Sequence, residues 1–241
     1  MQSITLLVPA HNEEEVIEDS VLGMKQYLDN LESISSYEII ICINNSTDRT
    51  EEISMKLSNK YNSITYFAIQ EEGAGISLRE GIRRASKDVI VWLPADGELM
   101  NGFIGESIKA LEDCDVVSGS RYLVKNKVRS SSYTRRFLSI SFSYMTRIMF
   151  GSGITEFGTV KSFKREWAQS INHKCHCDDF SFMIEILYHA LRDGLQIKEI
   201  PVYMKIRRSS DKSKVRIFSS IFSLGFTTLK YGVLWRMRRF T

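Results

Sequence analysis

Proline and cysteine are both scarce in this sequence, and no long apolar run interrupts it. The 241 residues include three prolines and four cysteines. The cysteines are scattered, apart from one Cys-His-Cys at positions 175–177, and this spacing does not resemble a disulfide framework, so we expect a reducing, cytoplasmic location. No Gly/Pro-rich linker and no internal repeat divides the chain. We therefore expect one domain over residues 1–205, with halves 1–125 and 126–205, and a basic amphipathic extension over residues 206–241.

The sequence also lacks a segment able to cross a membrane. Its longest uncharged stretch near the C-terminus, residues 217–229, ends at Lys230, whereas a spanning helix needs about 20 apolar residues. The N-terminus has no basic segment and its apolar run stops at Pro9, so we expect a strand there and no signal peptide. A formal net charge of +3 does not by itself indicate nucleic-acid binding, and 43 % hydrophobic residues are enough for a folded core.

Strand and helix patterns alternate over the first half of the chain. Apolar runs predict strands over residues 4–8, 37–43, 64–68 and 89–93, and a further strand is predicted over residues 116–120. Helical spacing of apolar residues predicts helices over residues 14–31, 50–61, 76–85 and 103–111. This alternation predicts an α/β fold, in which a mostly parallel sheet is flanked by helices and ligands bind beyond the carboxyl ends of the strands.

The second half of the chain has a different pattern. It predicts helices over residues 135–150, 179–192 and 215–235, and strands over residues 159–163 and 196–204. Residues 125–134 are basic and serine-rich, which is typical of a mobile loop. Apolar faces with basic flanks over residues 135–150 and 215–239 favour helices that lie in a membrane interface, although core-facing helices have the same pattern. The basic cluster at residues 236–240 favours the membrane, because anionic lipids attract such segments by about 1 kcal/mol per charge.

Polar segments follow the predicted strands at the edge where ligands are expected. Residues 9–13 and 44–48 follow the first two strands, and Arg121 follows the fifth. After the fourth strand, Asp96 and Glu98 stand at alternate positions, where two carboxylates can hold a divalent cation. The same residue types also form turns and cap helices, so each segment alone has a structural interpretation.

Five motifs in the first half are recognisable when they are taken together. They are Val-Pro-Ala-His-Asn-Glu (8–13), Asn-Asn-Ser-Thr-Asp-Arg-Thr (44–50), Gly-Ala-Gly (73–75), Ala-Asp-Gly-Glu (95–98) and Gly-Ser-Arg-Tyr (119–122). Their order and spacing resemble the GT-A fold of the large inverting family of nucleotide-sugar glycosyltransferases, glycosyltransferase family 2. The resemblance implies a nucleotide-sugar-binding half over residues 1–125.

Motifs in the second half extend the resemblance over nearly the whole chain. They are Arg-Arg-Phe-Leu-Ser (135–139), Phe-Met-Ile-Glu (182–185), Lys-Glu-Ile-Pro-Val (198–202), and Arg208 followed by Ser-Lys (213–214). These resemble the dolichol-phosphate mannosyltransferases and their polyprenyl-phosphate relatives. The Gln-x-x-Arg-Trp motif of cellulose- and chitin-synthase-like members does not occur. The resemblance implies an acceptor-binding half over residues 126–205.

The resemblance also implies roles for individual residues of the donor site. Pro9, His11 and Glu13 would line the nucleoside. Asn44 would meet the base or ribose where the family usually has aspartate, which leaves the identity of the base open. Asp96 matches the second aspartate of the family's Asp-x-Asp metal motif.

Two positions of the metal motif depart from or extend this pattern. Pro94 stands where the first aspartate belongs, and Glu98 matches a further polar metal contact. We therefore expect Mg²⁺ or Mn²⁺ to be weakly bound.

Cationic side chains are then expected to carry a larger share of the phosphate binding. The resemblance places Arg121, Arg135 or Arg136, and Arg208 around the donor diphosphate and the acceptor phosphate. Other basic residues available for a lipid phosphate are Lys125, Lys127, Arg129, Lys161, Arg207, Lys212 and Lys214.

The acceptor remains open between two classes. A lipid phosphate is already an anion and needs cations, whereas a sugar hydroxyl needs a carboxylate base. Glu156 lies where hydroxyl-acceptor relatives hold such a carboxylate. We expect transfer from a UDP- or GDP-sugar to a polyprenyl phosphate on the cytoplasmic face of a membrane, by a peripheral enzyme that binds no nucleic acid and is compatible with a homodimer.

Three alternatives stand beside this expectation. The first is transfer to a glycan hydroxyl, with Glu156 as base. The second is a non-catalytic GT-A scaffold, which Pro94 and Asn44 suggest. The third, a nucleotidyltransferase, needs a Gly-rich phosphate loop after the first strand, where this chain has His-Asn-Glu.

Two further motifs have simpler interpretations. Residues 73–75 are not a phosphate loop of the Gly-Lys-Ser type and are expected to shape a helix start. The soft ligands at residues 173–177 are too close together for a tetrahedral zinc site, and the sequence has no second Cys/His cluster. We therefore expect no zinc site there.

Overall fold

The computed structural model describes residues 1–95, 102–124, 133–151, 153–157, 159–202 and 217–238. In the helix that begins at Tyr133, side chains are described from Ile140 onward, and in the helix that begins at Ile217 they are described from Ser223 to Met237.

A seven-stranded sheet forms the centre of the protein. Its strands are β1 (Gln2–Ala10), β2 (Ile34–Asn44), β3 (Ile64–Ile69), β4 (Val89–Trp92), β5 (Val116–Ser120), β6 (Lys161–Lys164) and β7 (Ile197–Pro201). They lie in the order β3-β2-β1-β4-β6-β5-β7. Strand β6 is antiparallel to both of its neighbours, and the other strand pairs are parallel. The predicted α/β fold with a mostly parallel sheet is confirmed.

The helices cover both faces of this sheet. They are α1 (Ile17–Asp29), α2 (Thr50–Lys60), α3 (Ala74–Arg84), α4 (Gly102–Ala110), α5 (Tyr133–Phe150), α6 (Arg165–Asn172), α7 (Phe182–Arg192) and α8 (Ile217–Arg238). Successive residues of one strand enter different clusters: Leu6 and Val8 pack with α1, and Leu7 packs with α3. Strand β4 is apolar at every position and fully buried, because both faces of the sheet are covered by helices.

Several boundaries differ from the predictions. Helix α6 was not predicted, and it follows β6 without a connecting loop. The predicted helix 179–192 begins at Phe182, because Asp178 and Asp179 belong to the preceding turn. The predicted strand 196–204 is described from Ile197 to Pro201. The predicted loop 125–134 lies mostly outside the described residues.

Helix α8 is part of the folded core. Its Tyr231 is buried against α7, and Gly232 permits close contact with α5, since an added Cβ would lie 2.6 Å from the Cβ of Met149. Arg236 donates hydrogen bonds to the carbonyl oxygens of Ile148 (2.6 Å) and Met149 (3.3 Å) at the end of α5. Arg236 therefore also has a structural role, besides the lipid attraction predicted for its cluster. The predicted boundary between residues 205 and 206 lies outside the described residues.

No helix in the described part of the chain is both long enough and apolar enough to cross a membrane.

Candidate active site

The loops after β1 and β2 are tied together by short polar contacts. Asn12 adopts a left-handed conformation (φ 52°), which asparagine tolerates better than most residues. Its Oδ1 accepts a hydrogen bond from the backbone N–H of Thr47 at 2.7 Å, and its own N–H donates to Ser46 Oγ at 3.0 Å. His11 Nδ1 donates to the carbonyl oxygen of Asn44 at 2.7 Å, and its Nε2 lies 3.5 Å from Asn12 Nδ2. The predicted residue His11 is thus held in one orientation at the sheet edge.

The carboxylate of Asp48 joins the starts of two helical segments. It accepts hydrogen bonds from the backbone N–H groups of Thr50 (3.0 Å) and Glu14 (3.1 Å). The Thr50 hydroxyl accepts in turn from the N–H of Glu13 at 2.8 Å. Part of the 44–50 motif therefore satisfies helix N-termini, which is the structural interpretation that the sequence also allowed.

Asn44 is buried at the end of β2, with its side chain directed to the loop after β3. Its Nδ2 donates to the carbonyl oxygens of Glu71 (2.9 Å) and Gly73 (2.8 Å), and its Oδ1 accepts from the N–H of Gly73 (3.1 Å). Both N–H donors of this amide are used within the protein. A nucleotide contact from this side chain would therefore use Oδ1, and the main structural effect of Asn44 is to fix the 71–73 loop.

Residues 73–75 begin helix α3, as predicted. The backbone N–H groups of Gly75 (2.8 Å) and Ile76 (3.3 Å) both donate to the carbonyl oxygen of Asp178. An added Cβ at Gly75 would lie 2.3 Å from the carbonyl oxygen of Cys177, so only glycine permits this approach. The turn before α7 therefore lies against the helix start that follows the 71–73 loop.

Strand β4 leads the chain to the predicted metal ligands. Its pairing with β1 continues beyond the strand: the N–H of Leu93 donates to the carbonyl oxygen of Leu7 at 3.1 Å, and that of Ala95 to Pro9 at 3.2 Å. The next residue is Asp96, so the backbone that precedes it lies beside the end of β1.

Most of the predicted phosphate and metal contacts lie outside the part of the chain that the structure describes in full. The side chains of Arg135 and Arg136 on α5 are not described, and the residues in undescribed segments are Asp96, Glu98, Lys125, Lys127, Arg129, Arg207, Arg208, Lys212 and Lys214. Their predicted roles stay predictions.

An ion pair joins the end of β5 to the loop before β6. Glu156 is 4 % exposed, and its carboxylate accepts a hydrogen bond from the backbone N–H of Arg121 at 2.7 Å and from Arg121 Nε at 2.5 Å, while Arg121 Nη2 forms a further ion pair. About a third of the Arg121 side chain (31 %) remains exposed. The structure thus brings two predicted residues, Arg121 and Glu156, into direct contact.

Glu199 on β7 holds the same loop from the adjacent side. Its carboxylate accepts hydrogen bonds from the N–H (2.8 Å) and the hydroxyl (2.9 Å) of Thr155, and from the N–H of Glu156 at 2.9 Å. Burial raises the pKa of Glu199, and these hydrogen bonds and the nearby Lys161 ammonium oppose that rise. The sequence contains this residue in its Lys-Glu-Ile-Pro-Val motif, but no pattern indicated what it would contact.

The side chain of Lys161 is buried against the loop that precedes β6, and the residue is 1 % exposed. Its ammonium donates to the carbonyl oxygens of Phe157 (2.8 Å) and Thr159 (3.0 Å). Burial lowers its pKa to about 7, although the carboxylates of Glu156 and Glu199 favour the charged form. The prediction that Lys161 is available to bind a lipid phosphate is therefore wrong, because an inward-facing position of an inner strand removes it from the surface.

Helix α5 connects this loop to an exposed apolar surface. Ser143 Oγ donates to the carbonyl oxygen of Thr155 at 2.5 Å, and Phe150 stacks on Phe157 with ring centroids 5.1 Å apart. The outer side of α5 exposes Tyr144 and Ile148, and α8 exposes five large apolar side chains. We call this set the α5–α8 apolar surface: Tyr144, Ile148, Phe226, Leu229, Val233, Leu234 and Met237.

Comparison with known proteins agrees with the predicted family. The model of the family described as Glycosyl transferase family 2 matches residues 5–171. Human dolichyl-phosphate beta-glucosyltransferase is 28 % identical over 259 aligned residues, which cover 99 % of this chain and 79 % of the human protein. Dolichol-phosphate mannosyltransferase of Pyrococcus furiosus is 30 % identical over 137 residues, which cover 56 % of this chain and 38 % of that protein.

Solved structures with the same fold include glucosyl-3-phosphoglycerate synthase from Mycobacterium tuberculosis. Its complex with uridine-diphosphate superposes with a TM-score of 0.71 at 17 % identity, covering 96 % of this chain and 80 % of the other. Its complex with Mn²⁺, uridine-diphosphate and phosphoglyceric acid gives a TM-score of 0.70 at 17 % identity, covering 96 % and 78 %. The GT-A fold is therefore confirmed. The chain belongs to glycosyl transferase family 2 and is a glycosyltransferase.

Proposed function

We propose that this glycosyltransferase transfers a hexosyl group, with inversion, from a nucleotide-diphospho-sugar to a polyprenyl phosphate at the cytoplasmic surface of a membrane. The observation that supports a polyprenyl phosphate as the acceptor is that helix α5 contacts the loop of the Arg121–Glu156 ion pair and also forms part of the α5–α8 apolar surface. The same helix that donates from Ser143 to the pair's loop exposes Tyr144 and Ile148. An acceptor with a charged head and an apolar tail matches this arrangement. The similarity to dolichyl-phosphate beta-glucosyltransferase over 99 % of the chain supports the same class.

The donor is proposed to bind at the ends of β1, β2 and β4. Pro9, His11 and Glu13 would line the nucleoside, and the 71–73 loop that Asn44 fixes would close the same side. A ribose contact from the His11 ring would use Nε2, which lies 3.5 Å from Asn12 Nδ2, because Nδ1 is occupied by the carbonyl oxygen of Asn44.

A divalent cation fits the chemistry of the residues that follow Ala95. Asp96 and Glu98 offer carboxylate oxygens, the ligands that Mg²⁺ and Mn²⁺ prefer, and Mg²⁺ needs only one or two of them besides phosphate oxygens. Bound there, the ion would offset the negative charge of the departing diphosphate. Arginines would share this task, among them Arg136 and Arg208.

The proposed reaction is a single displacement at the anomeric carbon. An oxygen of the acceptor phosphate forms the new bond to C1, and the bond from C1 to the diphosphate oxygen breaks with its electron pair leaving on the diphosphate. A phosphate acceptor is already an anion near neutral pH, so no base has to remove a proton. Glu156 then acts as a positioning residue that orients Arg121 toward the phosphate, since its carboxylate is buried in the ion pair.

The membrane surface is the proposed partner of the α5–α8 apolar surface. The exposed cations Arg147 and Lys230 lie on the same two helices, as expected for helices that contact anionic headgroups. We expect the double variant Phe226→Ser/Leu229→Ser to bind vesicles containing anionic lipid at least about tenfold more weakly than the unchanged protein. Met55→Ser is the matched control, because Met55 is an exposed apolar residue (43 %) on α2.

The activity is tested by offering labelled UDP-glucose and GDP-mannose with two acceptors, a polyprenyl phosphate in detergent and a soluble oligosaccharide. We expect transfer to the lipid phosphate, and a loss of at least about 100-fold in Asp96→Ala. Asp113→Ala is the matched control, since Asp113 is an exposed carboxylate after α4. Transfer to the oligosaccharide alone would refute the proposed acceptor.

The variant Glu156→Gln separates the two acceptor classes. If Glu156 is a positioning residue, Glu156→Gln should lower kcat by less than about tenfold, because one side-chain oxygen still accepts a hydrogen bond from Arg121. If Glu156 is the base, Glu156→Gln should lower kcat by about 100-fold or more and should flatten the acid limb of the pH–rate profile. The second result would establish the hydroxyl acceptor with Glu156 as base.

A further inference from the structure

A group of metal-ligating side chains lies in the core between α7, α8 and the turn after α6. The Cys175 sulfur, a Glu185 carboxylate oxygen and a His189 ring nitrogen all lie within 4.8 Å of one another, and all three residues are buried. Glu185 and His189 stand four residues apart on α7, so they share one face of the helix. This is the second set of ligands that the sequence pattern at residues 173–177 lacked.

His189 points to a missing ligand at this position. It is 4 % exposed, and neither ring nitrogen has a hydrogen-bond partner. Its ring lies against Tyr188 and Tyr231, with centroids 5.2 Å and 6.4 Å away. A buried imidazole without any partner is unfavourable, since both nitrogens have lost water and gained nothing in exchange. A cation bound between His189, Cys175 and Glu185 would satisfy it.

Glu185 is already positioned as a ligand would need to be. It is fully buried, and its carboxylate accepts hydrogen bonds from the backbone N–H groups of His176 (2.9 and 3.0 Å) and Cys177 (2.8 Å), and from the Tyr231 hydroxyl. Such partners fix the orientation of metal-bound carboxylates in proteins.

We propose that Cys175, Glu185 and His189 bind a structural zinc ion. The mixture of thiolate, imidazole and carboxylate suits Zn²⁺, whereas Mg²⁺ and Mn²⁺ prefer oxygen ligands alone. The ion would stabilise the turn after α6, which contacts the start of α3. Gly75 N–H donates a hydrogen bond to the carbonyl oxygen of Asp178 in this turn, and the Arg79 guanidinium donates to that of Cys177. The site is independent of the cation proposed at Asp96.

The experiment uses the full chain, stripped with a chelator and then titrated with Zn²⁺ or Co²⁺. We expect one ion per chain, a thiolate-to-Co²⁺ charge-transfer band in the near ultraviolet, and a Tm increase of roughly 5 to 10 °C at a free Zn²⁺ concentration about 100 times the Kd. Cys175→Ser and His189→Leu should lose the band and the Tm increase. Cys114→Ser, a buried cysteine next to β5, should keep both.

Two further results decide the matter without depending on how well those variants fold. The unchanged protein must show the thiolate band, and its absence overturns the proposal. The band must also persist in Asp96→Ala, because the carboxylate site supplies no thiolate. A band that disappears in Asp96→Ala, or metal binding that is unchanged in both Cys175→Ser and His189→Leu, would likewise overturn it.

Discussion

Replacing Lys161 with methionine should remove a pH dependence of folding stability between about pH 7 and pH 8.5. The ammonium of Lys161 is fully buried, and this burial lowers its pKa from 10.5 to about 7. The unfolded chain keeps the proton up to about pH 10.5, whereas the folded chain releases it near pH 7. The unfolded state therefore binds more protons in this interval, and the free energy of unfolding rises with pH.

The size of the effect follows from these two pKa values. A difference of one bound proton changes the free energy of unfolding by about 1.4 kcal/mol per pH unit. Over the interval from about pH 7 to pH 8.5, during which the folded chain completes its proton release, the increase is about 1.5 kcal/mol.

Other buried groups act outside this interval. Burial lowers the pKa of His189 below its ordinary value of 6.5. The contribution of His189 to the free energy of unfolding therefore rises with pH and is complete above pH 6.5. Burial raises the pKa of Cys42, Cys175 and Cys177 above the ordinary value of 9.0, so they reduce stability only as pH rises through that value.

The assay is urea unfolding of wild type and Lys161→Met across the interval, with a chelator present so that no metal binds near His189. The variant leaves the carbonyl oxygens of Phe157 and Thr159 without their donor, which lowers its absolute stability by about 1–3 kcal/mol for each. The slope with pH is the quantity that counts. Lys164→Met is the matched control, because Lys164 lies on the same strand with a side chain 54 % exposed. Parallel curves for wild type and Lys161→Met would refute the argument.

Three further predictions concern the loops around the site. Gly75→Ala should reduce the free energy of unfolding, measured by thermal unfolding, by about 3 kcal/mol, because the new Cβ would lie 2.3 Å from the carbonyl oxygen of Cys177. The control Gly23→Ala should not destabilise the protein, because an added Cβ at Gly23 would have no atom within 4 Å. Glu199→Ala removes the acceptor of three hydrogen bonds and should lower both stability, by about 3 kcal/mol, and kcat/KM, whereas the exposed neighbour substitution Lys198→Ala should change neither. Arg121→Met leaves the Glu156 carboxylate buried without its guanidinium partner and should lower the free energy of unfolding in urea by about 3–5 kcal/mol. The double variant Arg121→Met/Glu156→Leu should recover most of that stability but no transferase activity. If the double variant does not recover stability, the ion pair is not the cause of the loss.

Much of the fold could be predicted because its local patterns agree with its long-range structure. The predicted strand 116–120 has the same bounds as β5, and all five of its residues are buried because both faces of the sheet are covered. The position of Arg121 at the carboxyl end of β5 then followed from the parallel order of the strands. The same reasoning placed His11 and Asn44 at that edge.

Other features depend on which strands become neighbours, and no local pattern encodes this. The pairing of β6 between β4 and β5 is antiparallel, and it decides that Lys161 points into the core and not toward a phosphate. The amide of Asn44 could equally have faced a nucleotide; its contacts with residues 71 and 73 arise only when the loop after β3 folds back. The Cys175, Glu185 and His189 group needs the turn after α6 to lie on α7, and glutamate and histidine four residues apart were the one signal in the sequence.

The antiparallel strand β6 also explains why the two halves of the site differ in chemistry. At the ends of β1 and β2, the loops are held by amide and hydroxyl groups and by carboxylates that accept from backbone N–H groups. At the end of β5, β6 brings its preceding loop to the same edge, where Arg121 and Lys161 face Glu156 and Glu199. These are two cations and two carboxylates in one partly buried group. Since the pKa of Lys161 lies near 7, the net charge of this group changes close to neutral pH. A charged acceptor bound beside Arg121 would therefore meet a field that depends on the protonation of a buried lysine, and stability and acceptor affinity should respond to pH through the same residue.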